Sequence, residues 1–176
     1  MYSFEELQKI INVELKSQTV ILGGNNPAEL YAPVKYSMEV GGKRLRPVLL
    51  LMAFNMFSDE IDKAIPAALA VEIFHNFTLL HDDIMDNANV RRNKPTVHKK
   101  FSENSAILSG DAMAFLSYQY LLQSNTSKIN EVVNLFTETA LEVCEGQQYD
   151  MEFENRQVVA ENEYLEMIRL KTAVLL

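Results

Sequence analysis

The chain has 176 residues, of which 48% are hydrophobic and 23% charged, a composition that fits one globular domain with a buried core. A formal charge of −8 and a pI near 4.9 exclude a general affinity for nucleic acid or anionic lipid, because either needs a sustained basic surface. Any polyanion it binds has to be held locally.

The N-terminus, MYSFEELQKI, carries acidic residues and a helical period instead of a basic patch followed by an apolar stretch, so it does not read as a signal peptide. Phe4, Leu7, Ile10, Ile11 and Leu15 recur at three- and four-residue spacing, and the same period returns through later segments. No run alternates convincingly as a strand, so the expected fold class is all-α. Breaks are predicted at 23–27 (Gly-Gly-Asn-Asn-Pro), at Gly41-Gly42, near Ser58-Asp59, across Asn87 to Pro95, and around Ser124 to Ser127, leaving six or seven helices. The segment from about Asp59 to Asp86 stays apolar on nearly all sides, as a central helix does. The longest uninterrupted apolar runs, such as Val48 to Phe54, fall well short of the roughly 20 residues of a membrane span, so a cytoplasmic protein is expected. Cys144, the single cysteine, excludes an internal disulfide and a thiolate zinc site, fits a reducing compartment, and is expected in the core. No repeat, linker or domain boundary is visible, and the last helical pattern, Glu161 to Leu176, stops without a cap, which is the expectation for a fragment of one domain spanning 1–176.

The strongest chemical signal is His81-Asp82-Asp83-Ile84-Met85-Asp86. Asp82 and Asp86 share one helix face with Cβ atoms about 5–6 Å apart, where like charges repel unless a cation lies between them. Hard oxygen donors arriving in ones and twos suit Mg2+ that completes its shell with water and phosphate oxygens; the alternative is a solvated acidic helix end. Arg91-Arg92-Asn93-Lys94-Pro95 is a cationic turn whose guanidiniums can fork onto diphosphate oxygens. Gly41-Gly42-Lys43-Arg44-Leu45-Arg46-Pro47 places Lys43 and Arg46 three residues apart beside glycines that permit close approach of an anion, without the spacing of a Walker loop. His75 is either a satisfied core histidine or a phosphate donor acting with Lys43 and Arg46. Phe74, Phe77 and Leu80 read as core, Phe77 with the alternative of lining a hydrocarbon pocket, and His98 as a surface or turn residue.

In order along the chain, GGKRLRP, VEIFHNFTLLHDDIMDNANVRRNKPTVHKKF, LSGDAM, GQQYDME and KTAVLL resemble the opening motifs of the trans-isoprenyl diphosphate synthase family. The resemblance covers nearly the whole chain after about residue 30. It implies a helical bundle of the isoprenoid synthase type, truncated here, that condenses isopentenyl diphosphate head-to-tail with an allylic diphosphate. Lys43, Arg46, His75 and Arg92 would then hold the diphosphate of isopentenyl diphosphate. Asp82 and Asp86 would bind the magnesium ions, with Asp83 in support; Arg91, Lys171 and Thr172 would contact the allylic diphosphate, and Gln147 and Asp150 would line the same cavity. Phe77, with Thr78 beside it, would form the floor that limits product length, pointing to farnesyl or geranylgeranyl diphosphate. A homodimer is implied. The family's second aspartate-rich motif is not within the 176 residues, so half of the metal site is expected to be missing. Two other readings share the aspartate motif: a terpene cyclase, which does not need Lys43, Arg46 and Arg92, and a non-catalytic subunit of a heteromeric synthase, in which metal residues often decay.

Overall fold

The computed structural model describes residues 1–176 as an almost wholly helical chain in two compact units, Met1–Asn125 and Thr126–Leu176. The all-α expectation holds. The first unit contains α1 (Phe4–Gly23), α2 (Ala28–Glu39), α3 (Leu45–Asn55), a 3₁₀ turn (Ile61–Ala64), α4 (Ile65–Met85), a hairpin of β1 (Val90–Arg91) and β2 (Lys94–Pro95), α5 (Val97–Lys100) and α6 (Glu103–Leu121). The second contains α7 (Ile129–Phe153), α8 (Glu161–Ile168) and a π-helical turn (Arg169–Ala173).

Local chemistry sets the helix ends. Ser3 opens α1 with a capping box: its hydroxyl accepts from the Glu6 amide at 3.2 Å and its own amide donates to the Glu6 carboxylate at 2.8 Å. Ser102 opens α6 by accepting from the Ser105 amide at 3.1 Å. Leu7, Ile11, Leu15 and Leu22 face the core of α1 at the spacing the sequence predicted. α4 packs most extensively on α6, whose Ala106, Ser109, Met113 and Ser117 are fully buried, small side chains on that face permitting close approach.

Three differences from the sequence reading have physical causes. There are eight α-helices rather than six or seven, because two breaks carry neither glycine nor proline. One is Phe101-Ser102, where the cap on α6 isolates the single turn of α5. The other is 154–160, where the Arg156 guanidinium forks onto Glu163 at 2.8 and 2.9 Å and fixes the turn into α8. The hairpin is the one strand pair, each strand two residues long. The stretch Ile61–Met85 is long and apolar enough to cross a membrane by length and composition, although no uninterrupted run is. Its buried face (Ala68, Leu69, Ala70, Ile73, Phe74, Leu80) and buried Glu72 and Asp83 are those of a core helix.

Candidate active site

The C-terminal turn of α4 carries the aspartates. Asp83 points inward and is 4% exposed, whereas Asp82 is half-buried and Asp86, at the cap, is exposed. The Arg91 Nε donates to both Asp83 carboxylate oxygens at 2.8 and 2.9 Å, and its Nη2 reaches Asp82 at 3.3 Å. Burial pushes the Asp83 carboxyl up, and the Arg91 guanidinium opposes the shift. Arg91 thus steadies the aspartate turn from below.

The hairpin that supplies Arg91 turns on Arg92 (φ 52°) and Asn93 (φ 62°), two consecutive left-handed residues that make the tight reversal a two-residue loop needs. Asparagine tolerates this conformation and arginine does so at a cost, which marks Arg92 as held for its side chain. The hairpin is fastened at its base, where the Tyr36 hydroxyl donates to the Pro95 carbonyl at 2.7 Å and the Thr96 hydroxyl to the Ala88 carbonyl at 2.7 Å.

Arg92, the next residue, reaches the glycine-rich loop before α3. Its guanidinium covers Gly42, where a Cβ would lie 2.6 Å from Nη1 and would displace the end of the arginine side chain. With Lys43, Arg44, Leu45, Arg46, Glu72 and His75 it lines a cavity of about 450 Å³. The predicted set Lys43, Arg46, His75 and Arg92 therefore converges on one pocket. His75 is pushed down to about 3, first by burial and then by Arg46, Arg92, Arg91 and Arg44, so it is neutral at physiological pH. Because the folded state holds His75 neutral while the unfolded chain protonates it, stability falls as pH drops from the ordinary histidine value of about 6.5 toward 3. The His75 ring resonances should stay put in an NMR titration from pH 8 to 5; a midpoint above 6 contradicts the pocket's electrostatics.

Sequence reasoning missed Arg44 and Glu72. They form a buried ion pair, Arg44 6% and Glu72 3% exposed, and Arg44 looked like one more cation in a basic turn. Phe77 is half-buried on α4, 5.4 Å from the Phe74 ring and 4.8 Å edge-on from His81, and the Thr78 hydroxyl donates to the His75 carbonyl at 2.9 Å. His98, read as a surface or turn residue, sits in the single turn of α5 and is half-buried, with both ring nitrogens shielded from solvent and without a hydrogen-bond partner. The turn faces inward because its neighbours Thr96 and Val97 are buried.

In the second unit, Lys171 and Thr172 sit on the π-helical turn, and the Lys171 ammonium donates to Asp150 at 2.5 Å. Gln147 on α7 has its side-chain nitrogen buried without a partner. Cys144 is exposed and not a core residue, because α7 buries the face of Phe136, Val143 and Gly146 instead. A Cβ on Gly146 would overlap the backbone nitrogen and Cα of Lys171, so this glycine lets the π turn lie against α7. Gly146→Ala should therefore lower stability by about 1–3 kcal/mol, the range for overpacking, measurable by urea denaturation; a change below about 0.5 kcal/mol contradicts the close approach.

No three His, Cys, Asp or Glu side chains are arranged as a closed metal cage. The donors present, Asp82 and Asp86 on successive turns of one helix, fit a cation that takes one or two carboxylates and fills its shell from phosphate and water. In an almost wholly helical chain, two acidic donors at one helix end and a pocket lined by cations form an arrangement able to take a metal ion and an anion.

The polyprenyl synthetase family model matches residues 27–176, and the chain belongs to that family. It is 43% identical over 157 residues to geranylgeranyl diphosphate synthase of Methanosarcina mazei, covering 88% of this chain and 48% of the relative. It is 44% identical over 171 residues to short chain isoprenyl diphosphate synthase of Methanocaldococcus jannaschii, covering 97% and 50%. Among solved structures, geranylgeranyl pyrophosphate synthetase of Geoglobus acetivorans superposes with a TM-score of 0.92 at 40% identity, covering 98% of this chain and 56% of that one. The chain spans about half the length of the curated relatives it matches.

Proposed function

We propose that this chain is the substrate-binding portion of a short-chain isoprenyl diphosphate synthase, joining isopentenyl diphosphate to an allylic diphosphate (dimethylallyl, geranyl or farnesyl). The observation that carries the reading is the hairpin with two arginines facing two environments: Arg91 on the aspartates of α4, Arg92 on the pocket of Lys43, Arg46 and His75.

In this reading the pocket grips the diphosphate of isopentenyl diphosphate through charge-assisted bonds from Lys43, Arg46 and Arg92, while neutral His75 offers a ring N–H. Asp82 and Asp86 would hold Mg2+, which when bound supplies positive charge beside the allylic diphosphate. Arg91, released in part from Asp82, grips that diphosphate so that negative charge developing on it is already matched; Lys171, Thr172 and Gln147 are the residues of the second unit that the family resemblance assigns to the allylic diphosphate. The allylic C–O bond breaks, the isopentenyl double bond attacks the allylic carbon, and the proton lost from the adjacent carbon passes to the departed diphosphate. Positioning is the chain's main contribution, together with an apolar lining that keeps water from the cation. Phe77 and Thr78 limit the product to farnesyl or geranylgeranyl length, in keeping with the names of the relatives. The working form is a cytoplasmic homodimer that binds no nucleic acid.

Arg46→Ala should raise the KM for isopentenyl diphosphate about 10- to 150-fold, the scale of one hydrogen-bonded charge, and leave the allylic KM unchanged. The kinetics are read on this chain extended to the length of its relatives. An equal rise in both, or in neither, rejects the assignment of the pocket.

A further inference from the structure

Arg44 has the same charge as its neighbours Lys43 and Arg46 but the opposite surroundings. Its backbone is left-handed (φ 56°, ψ 33°), and its side chain forms part of the cavity's inner wall while the residue stays only 6% exposed. There each of its three nitrogens meets a protein acceptor: Nη1 the Glu72 carboxylate, Nη2 the Met38 carbonyl at 3.2 Å, and Nε the Asn12 side-chain oxygen at 3.4 Å. Glu72 also accepts from the Asn76 side chain at 3.2 Å. It stands on α4 one turn before His75, so the pair fastens the glycine-rich loop to the helix that carries the rest of the pocket.

We propose that the buried Arg44–Glu72 pair is a positioning device for the diphosphate pocket, holding Lys43 and Arg46 on either side of Arg44 at the mouth of the cavity. The inference rests on the reading that this pocket takes the diphosphate of isopentenyl diphosphate. With three of its five N–H groups committed to protein acceptors and its charge met by Glu72, Arg44 sets where its neighbours stand. The half-buried Arg46 and the exposed Lys43 line the same cavity, and the Lys43 carbonyl is tied down by the Gln8 side chain at 2.9 Å. Glu72 adds a second effect. It is the buried negative charge among Arg44, Arg46 and Arg92, and it offsets the repulsion that would spread three guanidiniums apart before a diphosphate arrives.

The pocket lies within the first unit, so binding can be read on the chain itself by calorimetry. The probes are isopentenyl diphosphate and inorganic pyrophosphate in EDTA, where the aspartate turn offers anions only repulsion. Arg44→Lys keeps the charge and loses the fork; Glu72→Gln keeps the shape and loses the charge. Both should raise the Kd of either probe about 10- to 100-fold at a temperature well below each variant's melting point, the usual cost of removing an orienting partner. A merely structural pair would lower the melting point and leave the Kd of the folded protein within about twofold of wild type, and that result overturns the proposal. Should Arg44→Lys fail to fold, Asn76→Ala retains both charges while loosening Glu72, and a rise of about 2- to 10-fold in Kd is expected, with no rise contradicting it. Wild type that binds pyrophosphate but not isopentenyl diphosphate, with the variants weakened toward pyrophosphate, sinks the substrate reading and leaves the positioning role standing.

Discussion

In this chain extended to the length of its relatives, Asp82→Ala should lower the kcat/KM of condensation about a thousandfold, the upper range for removing one group that stabilises developing charge. The fold survives it. Asp82 meets Arg91 at 3.3 Å across a pair whose side chains are 18% and 31% exposed, and Arg91 keeps its two bonds to Asp83. Removing Asp82 also relieves repulsion from Asp83 and Asp86. The melting point should accordingly move by less than about 4 °C. A variant that unfolds, or one that retains a tenth of wild-type activity, would show that Asp82 is a structural residue and not the main metal ligand. Asp83→Asn is the opposite case: it keeps Asp82 and Asp86 but takes the charge from the buried partner of half-buried Arg91, so it should damage stability before chemistry.

Glu72→Ala is the largest expected stability loss, about 3–5 kcal/mol, because it strands the Arg44 guanidinium in a site only 6% exposed. Replacing both partners, Arg44→Met with Glu72→Leu, should recover most of that loss, since two apolar side chains leave no charge to desolvate. Urea denaturation of the two single variants and the double variant measures the coupling directly. A Glu72→Ala loss below about 1 kcal/mol would mean that Arg44 finds water or another acceptor, and the pair would not be the anchor of the loop. The recovered double variant separates stability from function. It should fold well and still bind diphosphate poorly, because the loop has lost its tether.

The outline of this molecule is written in residue spacing. The three- and four-residue period from Phe4 to Leu15 gives α1, and the unbroken apolar character before Asp82 gives the central helix. The aspartate pair and the two basic clusters were legible because like charges placed together need a reason. What was not legible depended on which way a side chain turns. Lys43, Arg44 and Arg46 are chemically alike in sequence, and Arg44 alone is buried, where Glu72, Met38 and Asn12 accept from it. Cys144 sits in an apolar pattern, yet α7 buries the face of Gly146 because Lys171 comes close enough there to exclude a side chain. His98, beside Lys99 and Lys100, read as surface until burial of Thr96 and Val97 fixed the orientation of its short helix. The break before α8 has no glycine or proline to announce it and is held by the Arg156–Glu163 fork, an interaction seven residues apart. The π turn under Lys171 likewise follows from packing on α7 and not from local propensity.

The most direct test of the whole account is a condensation assay with radiolabelled isopentenyl diphosphate, geranyl diphosphate and magnesium, with the extracted product sized by chain length. It is run on this chain and on a form extended to the length of its relatives. The account predicts label in a farnesyl or geranylgeranyl product from the extended form, lost in its Asp82→Ala variant. Release of pyrophosphate from geranyl diphosphate with no label in the product would contradict it and put a cyclase in its place.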